Sequence, residues 1–115
     1  MEKNLNICML MDFYGQLLTD KQRMALDYYY NDDLSLGEIA DQLGISRQGV
    51  RDFIKRGEKQ LEELESKLSL AGRFISVKEK MSEIENLADD IEKISGRSDE
   101  LERLKKLISS VSQML

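Results

Sequence analysis

A short run of polar and basic side chains between Ser46 and Arg56 has the residue types needed to contact nucleic acid. Arginine can donate two hydrogen bonds to guanine, and glutamine can pair in the same bidentate way with adenine. Aspartate repels phosphate, so within such a run it would favour a cytosine amine or an arginine partner. The predicted contact residues are Ser46, Arg47, Gln48, Arg51, Asp52, Lys55 and Arg56, the first five facing base edges and the last two facing the backbone.

The charge distribution singles out the same part of the chain. The 115 residues together carry a net charge of −5, which argues against a nucleic-acid partner. Residues 44–59, however, hold five basic side chains against two acidic ones, whereas the segments on either side are net acidic. Because salt screens charges beyond about 8 Å at physiological ionic strength, the local positive charge governs a groove contact. The acidic remainder should lower non-specific affinity.

The residues before and within this run match the pattern of a helix-turn-helix that starts at Leu36. Ala40 falls where two crossing helices leave space for only a small side chain. Gly44 falls at the tight turn, where a positive φ angle suits glycine. Ser46 follows the turn, and its hydroxyl can cap the second helix. The residues predicted to join the helices are Ile39, Leu43, Ile45, Val50 and Phe53.

Apolar spacing along the whole chain predicts an all-α fold. We expect helix 1 over residues 4–18 and helix 2 over residues 20–31, the latter with Met24, Ala25, Tyr28 and Tyr29 turned inward. Helix 3 should cover residues 36–43. A Thr19 cap with Gln22, and a Ser35 cap with Glu38, should begin helices 2 and 3 as capping boxes.

Helix 4 should be unusually long, because its apolar heptad spacing continues past the helix-turn-helix to about residue 70, where Ala71 and Gly72 should end it. Two further heptad stripes, in residues 73–95 and 98–115, predict an αα-hairpin that begins its second helix at Ser98. The stripes are Phe74, Val77, Met81, Ile84, Ala88, Ile91 and Ile94, and then Leu101, Leu104, Ile108, Val111 and Leu115.

These helices divide the chain into a helix-turn-helix domain over residues 1–70 and a hairpin over residues 71–115 that packs or dimerises. The apolar stripes of the hairpin are longer than is needed to cover a four-helix domain. They must pack against helix 4, against each other or against a second chain. We predict a homodimer, since one helix-turn-helix covers one half-site, with an intrachain hairpin as the alternative.

Several segments together carry a family likeness. The segments 18–23, 28–30, 34–40 and 44–50 resemble region 4 of bacterial sigma-70-type factors, a promoter-reading helix-turn-helix domain. Residues 11–19 make the resemblance more specific, and residues 1–70 as a whole are similar to the YlxM family of small sigma-region-4-like proteins. In the sigma-type pattern Lys55 and Arg56 fit the basic end of the recognition helix, whereas Gly49 stands where alanine is more usual.

The resemblance implies a regulatory role, because genes of this family lie beside those for the signal recognition particle GTPase or its receptor. Two functions therefore remain open. The chain is a DNA-binding regulator that places helix 4 in the major groove, or it is a protein- or RNA-binding adaptor of the signal recognition particle pathway. RNA would be contacted through phosphates, because A-form RNA hides its major groove.

Other function classes have little support in the sequence. Histidine is absent, and no phosphate-binding glycine loop, metal-spaced ligand set or nucleophile–base pair is present, so we expect no enzyme, cofactor or metal. We also expect no small-molecule substrate and no membrane contact. The N-terminus lacks the pattern of a signal peptide, and the single cysteine, Cys8, favours a cytoplasmic protein.

Overall fold

The computed structural model describes residues 1 and 3–115, and every regular element within them is helical. In chain order these are α1 (Asn6–Tyr14), a 3-10 turn (Gly15–Leu17), α2 (Asp20–Tyr30), α3 (Leu36–Leu43), α4 (Arg47–Leu68), α5 (Leu70–Ser95) and α6 (Asp99–Met114). The prediction of an all-α fold with a helix-turn-helix, a long fourth helix and a terminal helical hairpin is confirmed.

The chain separates into two compact units, which we call the head (residues 1–71) and the hairpin (residues 72–115). In the head, the predicted capping boxes are present. The Thr19 side chain accepts a hydrogen bond from the backbone of Gln22, and the Gln22 side chain accepts one from the backbone of Thr19. Ser35 and Glu38 are paired in the same way. These pairs satisfy amides at the first turns of α2 and α3, which have no partner within the helix.

Helix α4 is the central element of the head, and it packs against α1, α2 and α3. Val50, Ile54 and Leu61 form its fully buried stripe. Gly57 lies in the same stripe, and a Cβ atom there would stand only 2.7 Å from Cδ1 of Leu26 on α2. The missing side chain therefore lets α2 approach α4 closely.

Two details of the first two helices differ from the prediction. The α-helix expected over residues 4–18 covers only Asn6–Tyr14, and the chain then tightens into the 3-10 turn. Met24, expected inward, is 41% exposed, whereas Leu26 is fully buried. The reason is that Leu26 occupies the space above Gly57, so the inward face of α2 is centred on Leu26 and Met24 turns toward solvent.

The end of α4 also differs from the prediction. The helix stops at Leu68 because Ser69 adopts a left-handed conformation with φ +56°, and Ala71 and Gly72 lie inside α5 instead of ending α4. The Tyr14 hydroxyl donates to Oε1 of Glu65 at 2.6 Å and accepts from the Leu70 amide at 3.0 Å. Glu65 also accepts from the Ala71 amide. These two side chains thus provide the partners that the first amides of α5 need.

The hairpin has a small buried cluster of its own. Ala88 of α5 and Leu101 and Ile108 of α6 are buried, and Met81 packs against them. Ser98 caps α6 by accepting from the Leu101 amide, as predicted. The predicted heptad stripe of α5 is only partly covered, however, since Val77, Ile84, Ile91 and Ile94 are exposed. The seam between two helices is too narrow to bury every apolar position of α5.

Candidate nucleic-acid interface

The turn before α4 fixes where the basic run begins. Gly44 adopts the predicted left-handed conformation with φ 66° and ψ 36°, and the Ile45 amide donates to the Ala40 carbonyl. The Ser46 hydroxyl then accepts from the Gly49 amide at 3.0 Å. Glycine accepts this backbone conformation without the clash that a Cβ atom would cause. The first turn of α4 is therefore held at a defined angle to α3.

All seven residues predicted to contact nucleic acid are exposed. Ser46 is the cap of α4, and the other six follow within its first three turns. At 3.6 residues per turn they cover about half of the helix circumference, opposite the buried stripe of Val50, Ile54 and Leu61. We call this surface, together with Lys59, the basic face: Ser46, Arg47, Gln48, Arg51, Asp52, Lys55, Arg56 and Lys59.

Lys59 was counted in the basic segment of the sequence but not among its contact residues. It is exposed and lies one turn beyond Lys55 on the same side of α4. The spacing of four from Lys55 was the signal that could have placed it with the others. Lys59 therefore extends the row of cations along α4.

The five cations of the basic face differ in their ion pairing from four other cations of the molecule. Lys3, Arg23, Arg97 and Lys105 each form a salt bridge with an aspartate or glutamate. In the part of the chain that the structure describes, no salt bridge involves Arg47, Arg51, Lys55, Arg56 or Lys59. The cations of the basic face thus form no salt bridge among the described residues, and the acid that acts on one of them is Glu58, whose pKa Lys55 lowers.

The one aspartate of the basic face is engaged by a neutral side chain. Nε2 of Gln48 donates to Oδ1 of Asp52 at 3.2 Å, an i to i+4 contact along α4. This bond orients the Gln48 amide at the surface. It also leaves Arg51, between them in sequence, outside the pair.

Arg47 lies against Gly37 of α3, a residue that the sequence pattern did not single out. A Cβ atom at Gly37 would stand 3.0 Å from Nη2 and 3.1 Å from Nε of Arg47. The absence of a side chain at Gly37 gives the guanidinium group its place on α3. The available signal was a glycine inside a helix, which lowers helix stability by about 1 kcal/mol relative to alanine and therefore calls for a packing reason.

Arg47, Gln48 and Arg51 also line an open cleft of about 340 Å³ between the beginnings of α3 and α4. Ser35, Leu36 and Gly37 form the α3 side of this cleft. The cleft brings residues of both helices of the helix-turn-helix to one surface. Of the predicted contact residues, it groups the first three that lie within α4 itself.

Glu58, the acidic residue nearest the end of the basic face, contacts Tyr30 and also interacts electrostatically with Lys55. The Tyr30 hydroxyl donates to Oε1 of Glu58 at 3.2 Å and accepts from the Asn4 amide at 3.0 Å. Burial raises the pKa of Glu58, while the Tyr30 hydrogen bond and Lys55 lower it. Burial also raises the pKa of Tyr30 to about 12. The carboxylate therefore serves the packing of α4 on α2.

Residues 1–109 match the family described as "Putative helix-turn-helix protein, YlxM / p13 like" (UPF0122). The chain belongs to this family. A UPF0122 protein of Acetivibrio thermocellus is 52% identical over 84 residues, which is 73% of this chain and 72% of the relative. UPF0122 proteins of Shouchella clausii and Bacillus thuringiensis are 42% and 39% identical, over 93% and 99% of this chain and 98% of each relative.

Membership of the UPF0122 family confirms the resemblance to the YlxM family, and the match covers most of the hairpin as well as the head. An all-α helix-turn-helix fold is more typical of binding proteins than of enzymes. Within the described residues, no helix is both long enough and apolar enough to cross a lipid bilayer.

Proposed function

We propose that this UPF0122 protein is a DNA-binding regulator that acts in the cytoplasm and places the first three turns of α4 in the major groove. The observation that carries the proposal is the basic face, whose five cations are exposed, lie on one side of α4 and form no salt bridge among the described residues. Charges that serve only solubility need no such segregation. An array of lysine and arginine on one side of a helix can neutralise phosphates and release their counterions, which supplies affinity for DNA.

The proposed roles follow the position of each residue along α4. Ser46, Arg47, Gln48, Arg51 and Asp52 stand in the first two turns, where the recognition helix of a helix-turn-helix reaches base edges. Lys55, Arg56 and Lys59 stand further along, where the helix leaves the groove and phosphates are nearest. Because Asp52 already accepts from Gln48, we propose that it orients the Gln48 amide toward an adenine.

The experiment is a comparison of three single arginine substitutions. Arg51→Ala removes a proposed base contact and should reduce discrimination by about 1–3 kcal/mol at one base pair. Arg47→Ala removes a cation nearer α3. Arg97→Ala, in the hairpin, removes the same charge from an exposed arginine that is already paired with acids. Affinity for a pool of random duplexes, followed by sequencing of the bound fraction, measures both strength and preference.

We expect Arg47→Ala and Arg51→Ala to weaken DNA binding and Arg97→Ala to leave it unchanged. The dependence of affinity on salt should also fall by about one unit of slope for each phosphate-contacting cation that is removed. Equal affinity of all four proteins for DNA would refute groove binding. Equal losses for all three variants would point to non-specific charge attraction instead.

The alternative proposal is an adaptor of the signal recognition particle pathway that binds protein or RNA. Its support is the net charge of −5, which suits a basic partner, together with the family likeness to YlxM proteins. Competition between a DNA duplex and the purified particle separates the two proposals. Binding to the particle without measurable, salt-dependent DNA binding would favour the adaptor.

We further propose that the binding unit is a homodimer, with residues 1–70 as the DNA-binding domain and residues 71–115 as the dimerisation arm. A single helix-turn-helix contacts one half-site, and two copies provide the affinity that paired half-sites require. Sedimentation at micromolar concentration should therefore give twice the 13.3 kDa mass of one chain. A single 13.3 kDa species would reject the homodimer.

A further inference from the structure

Each helix of the hairpin carries a second apolar stripe outside the buried seam. On α5 it consists of Ile84, Leu87, Ile91 and Ile94, which are 40–85% exposed. On α6 it consists of Leu104, Leu107, Val111 and Met114, which are 36–82% exposed. Both sets follow the 3-4-3 spacing of a coiled-coil seam. We call these eight residues the outer stripe.

The two halves of the outer stripe lie on the same side of the hairpin. On α5, the outer stripe is rotated about a quarter turn from the buried Ala88, and on α6 it is rotated by the same amount and in the same sense from Leu101 and Ile108. Because α5 and α6 run antiparallel, equal offsets in sequence bring both halves to one side. The hairpin therefore presents a continuous apolar face.

The two edges of this face carry opposite charges. Beyond the outer stripe, α5 presents Glu83 and Asp90, and α6 presents Arg103 and Lys106. All four side chains are exposed, and none of them forms a salt bridge within the described part of the chain. The acidic edge follows α5 and the basic edge follows α6.

We propose that a second copy of this chain covers the outer stripe, with α5 of each copy packed antiparallel against α6 of the other. The four helices then form a bundle with a two-fold axis parallel to the helices. Under this rotation, Asp90 of each copy meets Lys106 of the other copy, once on each side of the bundle. The proposal rests on the homodimer proposed above and states which face forms it.

The contacts within the hairpin indicate which residues lie at the same height. Lys105 pairs with Glu92, and the Ser112 hydroxyl bonds to Glu85. For an α5 residue and the α6 residue at the same height, the two residue numbers therefore have a nearly constant sum. A two-fold axis along the helices preserves height. Asp90 of one copy therefore stands level with Lys106 of the second copy, and about one turn from its Arg103.

The other face-to-face arrangement is disfavoured by the same charges. A two-fold axis perpendicular to the helices would pack α5 on α5 and bring the two acidic edges together. Like charges opposed across an interface are destabilising. Nearer the hairpin turn, Lys93 of one copy stands level with Arg103 of the second copy, so the complementary contact of the α5–α6 pairing is the one between Asp90 and Lys106. The contact between Asp90 and Lys106 thus favours the α5–α6 orientation.

The first experiment introduces charge into the outer stripe. Leu87→Asp combined with Leu107→Asp alters two leucines that are 60% and 65% exposed in one chain, so the core of a single copy is untouched. The dimer dissociation constant, measured by sedimentation over a range of concentrations, should rise at least about a hundredfold, because two apolar side chains lose their burial. Leu17→Asp, at a leucine 59% exposed in the head, should leave the dimer unchanged. Equal helix content by circular dichroism shows that each variant is folded.

The second experiment tests the orientation by exchanging charges between the edges. Asp90→Lys and Lys106→Asp should each weaken the dimer several-fold, and the two together should restore it. Packing of α5 on α5 predicts instead that Asp90→Lys alone strengthens the dimer. If the wild-type protein sediments as a monomer, both the homodimer and this inference are overturned, and the outer stripe is assigned to a different protein. A dimer that tolerates the aspartates at Leu87 and Leu107 overturns only the inference, and the absence of charge rescue overturns the orientation.

Discussion

The head and the hairpin are built from helices with similar apolar spacing, but they cover their apolar surface differently. In the head, the stripe of Val50, Ile54 and Leu61 is fully buried because three helices surround α4. In the hairpin, Leu101 and Ile108 are buried while Leu107 remains 65% exposed. Heptad spacing therefore predicts that a stripe will be buried but does not identify the surface that covers it.

The cation of the hairpin seam and the cations of the basic face also have different surroundings. Lys105 of the hairpin pairs with Asp89 and Glu92, and both acids raise its pKa. Arg47 and Arg51 of the head have no such pairing among the described residues. Cations paired within a chain serve its structure, whereas segregated unpaired cations suit an external partner. This difference, more than total charge, supports nucleic-acid binding.

The largest expected effect contrasts one buried isoleucine from each region. Ile54→Ala should lower the free energy of unfolding of the head by about 2–5 kcal/mol, because the surrounding helices cannot close the cavity. Ile108→Ala, in a two-helix seam that can collapse, should lower stability by no more than about 2 kcal/mol. Chemical denaturation followed by circular dichroism measures both. Equal losses would show that the hairpin is as tightly packed as the head.

The next effect contrasts two glycines of α4, which gain the same helix propensity on substitution. A Cβ atom at Gly57 would stand 2.7 Å from Cδ1 of Leu26, whereas one at Gly49 would stand 3.2 Å from the Ser46 hydroxyl. Overpacking of this kind costs about 1–3 kcal/mol. We therefore expect Gly57→Ala to unfold at lower denaturant than Gly49→Ala, by about that amount. The reverse order would mean that α2 can shift freely on α4.

Local signals predicted the parts of the fold that depend on single residues. The caps at Thr19, Ser35 and Ser46, and the left-handed turn at Gly44, involve only neighbours in the sequence. The break at Ser69 was not predicted, because it depends on Tyr14, which is distant in sequence and bonds to Glu65 and Leu70. Local patterns cannot indicate such a contact.

The same limit applies to the candidate interface. The alternation of buried and exposed positions along α4 placed Arg47 and Arg51 on the outer surface, where the structure has them. The contact of Arg47 with Gly37 joins two helices and could not be read from either one alone. The outer stripe was predicted only in part, since five of its residues were assigned to the single heptad stripe of each helix: Ile84, Ile91, Ile94, Leu104 and Val111. Leu87 and Leu107 lie next to positions already assigned to the seam, and each helix was given only one apolar face.

A smaller effect concerns the pH at which the head loses stability. Burial raises the pKa of Tyr30 from 10.0 to about 12, so the folded head favours the neutral hydroxyl. The stability that Tyr30 contributes is fully present below pH 10, the ordinary pKa, and is lost as the pH rises toward 12. All four tyrosines lie in the head, so tyrosinate absorbance reports on that region alone.

We expect a late phase in this titration that Tyr30→Phe diminishes. Tyr14, whose pKa is also raised by burial and by the Glu65 bond, should remain in the late phase of that variant. The substitution should lower the free energy of unfolding at neutral pH by about 0.5–1.5 kcal/mol, the usual value of one hydrogen bond. Simultaneous titration of all four tyrosines near pH 10 would contradict the role of burial at Tyr30.

The smallest expected effect concerns the contact between Gly37 and Arg47. Gly37→Ala adds a Cβ atom 3.0 Å from Nη2 of Arg47 and must displace the guanidinium group, whose flexible side chain can move without disturbing the fold. If Arg47 contacts DNA from this position, Gly37→Ala should weaken DNA binding a few-fold. It should also stabilise the head slightly, because alanine favours helix over glycine by about 1 kcal/mol. Weaker binding with higher stability is a combination that simple damage to the head cannot produce.

A double-mutant cycle tests whether Gly37→Ala changes DNA affinity through Arg47. With Arg47→Ala already present, Gly37→Ala should have no further effect on DNA affinity, because the group that it displaces is absent. An unchanged loss in that background would mean that Gly37 acts through the backbone of α3 instead. If Arg47→Ala weakens binding but Gly37→Ala does not, Arg47 reaches DNA from another rotamer, and its place on α3 belongs only to the unbound protein. The unpaired cations of the head would then be mobile side chains rather than a preformed surface.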